Sequence, residues 1–260
     1  MPTAEVDGLP IRYEDDGDGP PVLFCHGFLM DRTMFDPQVE TLTPGYRCLR
    51  LDERGFGGTP VDGPFDYWDL ADDAVGVLDH ADVDDAVWVG MSQGGFLALR
   101  AALAHPERVR GLVLVDTDAA TDDEETREGY RQMFRTWFEH GPVDPLVEEV
   151  AGLILGGDEE LRREWIARWR EIPPERLRLP AECLLGRDDL SGRLAEITAP
   201  ALVVHGTEDR AIPMERAEAL DRGLPNSVGL LRVEGAAHAP NLTHPEVVNP
   251  RLRAFLEAHA

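Results

Sequence analysis

One serine stands between glycines where an apolar run changes character. Gly90-Met91-Ser92-Gln93-Gly94 fits G-x-S-x-G, with a strand-like Ala86 to Val89 before it and a helix-like Gly94 to His105 after it. A serine on so tight a strand-to-helix turn is held in a strained backbone conformation. Its hydroxyl stands at the top of the sheet, and the first amides of the helix point at whatever binds there. The residues two before and two after it must be small, because the turn brings them into contact. A glycine-rich turn with Ser92 as a simple helix cap is the alternative reading. The flanking strand and helix favour the nucleophile.

A serine hydroxyl attacks poorly until a base takes its proton, and the base needs a carboxylate to orient it. Eight histidines are available. His80 and His105 fall at helix ends, His140 in a helical stretch, His259 beside the terminus, His205 at a strand end and His244 at the start of the last helix. His238 lies in "VEGAAHAPN", a loop of small residues after the last strand. Loops at the carboxyl ends of parallel strands are where such sheets build sites, so His238 is the expected base. The carboxylate candidates are Asp209, after the strand Ala201 to His205, and Asp116 and Asp118 in "LVLVDTD". Asp209 is preferred because the order Ser92, Asp209, His238 is the one found in hydrolases of this architecture; Asp116 is the fallback. An oxyanion also needs two amide donors in place. The expected pair is the N–H of Gln93 and that of Phe28, where Gly27 permits close backbone approach. His26 is expected to fix that loop by hydrogen bonds rather than to act as a base.

Those residues need a scaffold. Short apolar runs alternate with amphipathic stretches: strands "PPVLFCHG", Tyr46 to Leu51, Ala86 to Val89, Val109 to Val115, Ala201 to His205 and Val228 to Val233. Helical spacing covers Met34 to Leu42, Leu70 to His80, Gly94 to His105, Met214 to Gly223 and Pro245 to His259, with Pro250 a kink or restart point. Near-continuous apolar strands alternating with helices predict an α/β fold, a mostly parallel sheet covered on both faces. The opening "TAEVDGLPIRYEDDG" predicts an antiparallel edge hairpin turning at Asp7-Gly8. From Ala119 to Arg193 no strand is evident, so residues 119–193 read as a helical cap inserted into a core of residues 1–118 and 194–260. Leu29, Met30, Met133 and Trp137 are candidates to line an apolar substrate pocket.

Composition removes several alternatives. Asp and Glu total 50 against 25 basic residues, all of them arginine, for a net charge of −25. Such a surface repels nucleic acid and anionic lipid, so neither is an expected partner. It reads as a solubilising surface of a high-GC or salt-adapted organism, with attraction of a cationic partner as the alternative. Cys25, Cys48 and Cys183 are an odd, unpatterned set, which argues against disulfides and against a cysteine metal site. "RGFGGTP" fails the nucleotide-binding pattern at Pro60, and no H-E-x-x-H occurs, so no cofactor or metal is expected. The opening "MPTAEVDGLP" has no signal-peptide character, and a cytoplasmic location is expected.

Together, "HGF" at His26, "DERGFGGTP" from Asp52, "GMSQGG" from Gly90, "HGTEDRAIP" from His205 and "GAAHAPNLTHPEVVN" from Gly235 span nearly the whole chain. In that order they resemble the α/β-hydrolase superfamily. Within it the chain is similar to the group of small serine esterases, 3-oxoadipate enol-lactonases and cofactor-free haloperoxidases. The resemblance implies a Ser–His–Asp triad, a helical cap and hydrolysis of a small-molecule ester or lactone through an acyl-enzyme. Cleavage of a β-diketone-type carbon–carbon bond, or perhydrolase chemistry, are alternatives on the same triad. A non-catalytic receptor would have no need of all three residues. The enol-lactonases commonly carry Met after the serine, where this chain has Gln93.

Overall fold

Two strands that fold back on each other open the chain. β1 (Thr3–Val6) and β2 (Leu9–Asp16) pair antiparallel across Asp7 and Gly8. Both turn residues have positive φ, the backbone a two-residue hairpin requires. The predicted hairpin is therefore present, and β1 forms one edge of the sheet. These coordinates are a computed structural model that describes residues 2–260.

Six parallel strands follow. They are β3 (Pro21–Cys25), β4 (Arg47–Leu51), β5 (Ala86–Met91), β6 (Val109–Val115), β7 (Ala201–Gly206) and β8 (Ser227–Val233). The spatial order is β1-β2-β4-β3-β5-β6-β7-β8, with β2 antiparallel to β4. Parallel neighbours can be joined only by crossovers, and here most crossovers are helical. α1 (Asp36–Leu42) leads to β4, α2 (Tyr67–His80) to β5 and α3 (Gln93–Ala104) to β6. The connection from β6 to β7 carries α4 (Glu124–His140), α5 (Asp144–Leu155), α6 (Glu159–Arg170) and α7 (Arg178–Leu185). After β7 come α8 (Met214–Gly223), the short α9 (Pro240–Thr243) and α10 (Pro245–His259).

The apolar runs split between two cores. On β5, Ala86 and Trp88 enter one, while Val87, Val89 and Met91 enter the other; none is more than 2% exposed. Period-two side chains buried on both faces are why this strand reads as unbroken apolar sequence. Two predicted boundaries shift. α2 starts at Tyr67 rather than Leu70, because Asp66 accepts from the N–H groups of Trp68 and Asp69 while the Asp69 carboxylate accepts from Asp66 N–H. The last helix runs through Pro250 without restarting there. The break falls at His244 (φ −134°, ψ 49°), and Pro240 and Pro245 each open a helix where a missing N–H costs nothing.

Strands β3 and β5 are neighbours, but the chain leaves them toward opposite sides of the sheet. That switch point opens a crevice at their carboxyl ends. The first turn of α3 packs directly against it. A Cβ on Gly94 would lie 2.0 Å from the Cys25 carbonyl oxygen at the end of β3. Gly94→Ala should therefore destabilise the fold by about 3 kcal/mol or prevent folding. Gly129→Ala, on an open side of α4, should instead stabilise by about 0.5–1 kcal/mol. Denaturant midpoints of the two variants check the pair, and equal shifts would contradict it.

Candidate active site

Ser92 joins β5 to α3 at φ 51° and ψ −114°, a conformation that L residues adopt only under constraint. The constraint is visible. A Cβ on Gly90 would lie 2.3 Å from the Gly94 carbonyl oxygen, so the turn closes only around glycine. Ser92 N–H donates to the Val115 carbonyl (2.9 Å), and the Thr117 hydroxyl donates to the Ser92 carbonyl (2.7 Å). Both anchors come from β6 or the residues just after it, so the turn is fastened to the neighbouring strand.

His238 reaches Ser92 from the loop after β8. Its Nδ1–H donates to Asp209 Oδ2 at 2.8 Å, which leaves Nε2 bare to accept the Ser92 hydroxyl at 3.0 Å. The Asp209 Oδ1 accepts backbone N–H bonds from Ala211 (2.8 Å) and Ile212 (3.2 Å). Burial pushes the Asp209 carboxyl up, but the adjacent His238 and its hydrogen bond outweigh that and hold it down to about 2.

The two other candidate acids do different things. Asp116 is fully buried at φ 43°, and its Oδ1 accepts the Gly206 N–H at 2.9 Å. Burial, and then the Asp209 charge, push its carboxyl well up. Its buried Oδ2 has no hydrogen-bond partner among the described residues. Asp118 pairs with Arg216 (2.5 Å) and approaches Arg187 (3.9 Å). No hydrogen bond links either acid to His238. His205, the strand-end histidine, completes the buried group by donating Nε2–H to the Ile212 carbonyl (2.9 Å), and burial pushes its imidazole down. Asp116, His205 and Asp209 form the one cluster among the described residues with metal-ligand spacing. Hydrogen bonding already engages Asp209 Oδ2 and His205 Nε2.

The loop after β3 passes beside the serine. A Cβ on Gly27 would lie 3.6 Å from the Ser92 Cβ. Met30 N–H closes a turn onto the Gly27 carbonyl (3.0 Å), with Leu29 at φ 64°. Neither Phe28 N–H nor Gln93 N–H donates to another group among the described residues. His26 braces this loop as predicted: Nε2 accepts the Glu53 N–H (3.0 Å) and Nδ1–H donates to the Gly27 carbonyl (2.9 Å). A hydroxyl held against a carboxylate-oriented imidazole is equipped to attack a carbonyl carbon.

A narrow cavity opens on Ser92 and His238, with Phe28, Leu29, Met30 and Met133 among its walls. Its volume is about 70 Å³, where one water needs roughly 10–15 Å³. Trp137 is a correction. It does not line the cavity; it is 1% exposed and packs edge-on against Trp169, ring centroids 6.5 Å apart. An indole this large is retained by the apolar interior of the inserted helices. Its neighbour Trp169 was not foreseen. Trp169 donates its indole N–H to the Leu29 carbonyl at 2.7 Å, tying α6 to the strained turn. Glu53 was missed as well. It accepts the Gln93 side-chain amide (2.5 Å), and burial pushes its carboxyl well up. Neither partnership has a sequence signal, since the residues lie 140 and 40 positions apart.

A family model described as alpha/beta hydrolase fold matches residues 20–245. A pimeloyl-[acyl-carrier protein] methyl ester esterase of Aliivibrio fischeri is 27% identical, over 96% of this chain and 99% of that one. A thermophilic esterase from Thermogutta terrifontis superposes with a TM-score of 0.89 at 31% identity, covering 97% of this chain and 95% of that one. The enol-lactonase from Burkholderia xenovorans superposes at 0.86 and 25% identity, over 98% and 100% of the two chains.

Trp169→Phe removes the donor to the Leu29 carbonyl and keeps most of the ring. The turn that presents Phe28 N–H should loosen. Phosphonylation of Ser92 by a fluorophosphonate is expected to slow by about tenfold. An unchanged rate constant would show that the indole does not position the turn.

Proposed function

Because the chain belongs to the alpha/beta hydrolase fold family and is a hydrolase of that type, we propose that it cleaves small-molecule carboxylic esters or lactones through an acyl-enzyme on Ser92. The observation that carries this reading is the pair of contacts from His238, 3.0 Å to the Ser92 hydroxyl and 2.8 Å to Asp209. Ser92 Oγ attacks the acyl carbon as His238 Nε2 takes its proton. The amides of Phe28 and Gln93 hold the oxyanion. His238 returns the proton to the leaving alcohol, then deprotonates a water that releases the acid. Asp209 keeps the tautomer with the proton on Nδ1 and stabilises the imidazolium.

The apolar walls fit an uncharged acyl or alcohol group of modest size. Lactones belong to the same class, since the ring C–O bond is cleaved by the same steps; the likeness to an enol-lactonase supports including them. Residues 119–193 act as a cap that supplies one wall, and residues 1–118 and 194–260 as the core that carries the triad; Met1 lies outside the described residues. No helix among the described residues is long and apolar enough to cross a membrane.

Aryl-ester hydrolysis and fluorophosphonate labelling test the proposal directly. Ser92→Ala should abolish labelling and lower kcat by at least about 10³-fold. Asp209→Asn should lower kcat by about 10³–10⁴-fold with little change in KM, because it permits the wrong tautomer. Labelling that survives in Ser92→Ala would sink the proposal.

The pH profile supplies a separate check. With Asp209 held down to about 2, its carboxylate stays charged throughout the mildly acid range. Asp209 therefore goes on orienting the imidazole there and is not the source of any acid loss of kcat/KM in that range. An NMR titration that places the Asp209 carboxyl above about pH 4 would contradict this.

A further inference from the structure

The cavity beside Ser92 is apolar along most of its wall, yet one part of it is not. Asp122, Tyr130 and Arg187 also line it. The Arg187 side chain is only 6% exposed, and its guanidinium lies over the ring of Phe96, another lining residue, 4.6 Å from the centroid. Nη1 donates to Asp122 at 2.7 Å, but the buried Nε has no hydrogen-bond partner. The Tyr130 hydroxyl makes no hydrogen bond to another described residue. Burial, and then the Asp122 charge, push that phenol up to about 12, so it remains a donor. A phenol without an acceptor, a carboxylate and a guanidinium with one unpartnered nitrogen thus belong to the wall of a cavity that is otherwise mostly apolar.

We propose that this polar end selects substrates whose bound chain carries an uncharged hydrogen-bonding oxygen, a hydroxyl or a ketone, over plain hydrocarbon and over a terminal carboxylate. The inference rests on the ester-hydrolase reading and names its substrate class. Plain hydrocarbon leaves the Tyr130 hydroxyl without a partner once water is displaced. A carboxylate meets a different obstacle. Arg187 and Arg216 are already matched by Asp118 and Asp122 through contacts of 2.5 to 3.9 Å, so no cation is left over. A second anion would stand beside Asp122 with nothing to balance it. A ketone accepts from Tyr130 or Arg187, and a hydroxyl can in addition donate to Asp122.

The experiment compares kcat/KM for p-nitrophenyl esters of matched chain length ending in methyl, ketone, hydroxyl or carboxylate. A second set, acetates of the corresponding alcohols, covers the other side of the ester. In one of the two sets the ketone or hydroxyl member should exceed both the hydrocarbon and the carboxylate member by at least about tenfold. Tyr130→Phe and Arg187→Lys should each shrink that ratio severalfold, mainly through KM. Ratios near one in both sets, a preference for the carboxylate, or a preference untouched in both variants would overturn the inference. If Ser92 is labelled by fluorophosphonate and simple esters turn over without preference, this inference alone falls. If Ser92 is not labelled and no ester turns over, the hydrolase reading falls and this inference falls with it.

Discussion

The site depends on one close approach, that of the first turn of α3 against the carbonyl end of β3. Gly94 sits where any Cβ would meet the Cys25 carbonyl, and Ser92 enters that helix turn through a positive-φ backbone. Such a backbone costs about 1–3 kcal/mol. The strain persists because its surroundings leave no freedom to relax. β5 is buried along its whole length, β6 accepts the Ser92 N–H, and Thr117 holds the Ser92 carbonyl. The same approach brings the loop after β3 beside the hydroxyl. The Ser92 turn and the loop that carries Phe28 thus meet through one packing contact.

A second constraint governs the charges. Three buried ionisable side chains, Asp116, His205 and Asp209, crowd one region near His238. Two carboxylates this close cannot both be ionised at low cost. Their surroundings decide which one is. Asp209 receives two backbone N–H bonds and faces His238, whereas Asp116 receives one N–H and faces only its neighbours. The negative charge is therefore favoured on Asp209, beside the imidazole, while burial and the Asp209 charge favour the neutral form of Asp116. Choosing Asp209 over Asp116 from sequence relied on chain order. The physical reason is the imidazole: His238 hydrogen-bonds Asp209 and not Asp116.

What could be read from the sequence was whatever depends on local pattern. The G-x-S-x-G turn, the Asp7-Gly8 hairpin and the alternating apolar strands all express backbone preferences within a few residues. His26 could be placed as a brace because it adjoins the loop it holds. Residues that act across the fold left no such trace. Trp169 and Leu29 come together only when α6 docks on the loop after β3, and no periodicity records that docking. Trp137 illustrates the converse error. A large aromatic on an inserted helix satisfies a pocket wall and a helix-packing interior equally well in sequence. Its contact with Trp169 decides for the interior.

Gln93 shows where specificity can and cannot reside. It follows the nucleophile, at the position where the chain departs from the lactonases it resembles. Its side chain, however, is 2% exposed and is taken up by Glu53 and by the Tyr67 hydroxyl at 3.4 Å. Gln93 is absent from the cavity wall. Its backbone amide, in turn, is the same for any residue. A difference at this position therefore acts beneath the turn, on how firmly α3 is seated, and carries little information about substrate. Discrimination must come from groups that touch the cavity. Tyr130 and Met133 on α4, Val150 and Ile154 on α5, and Arg187 just past α7 all belong to the inserted segment. The core holds the reacting atoms in a geometry fixed by packing, while the insertion varies what they meet.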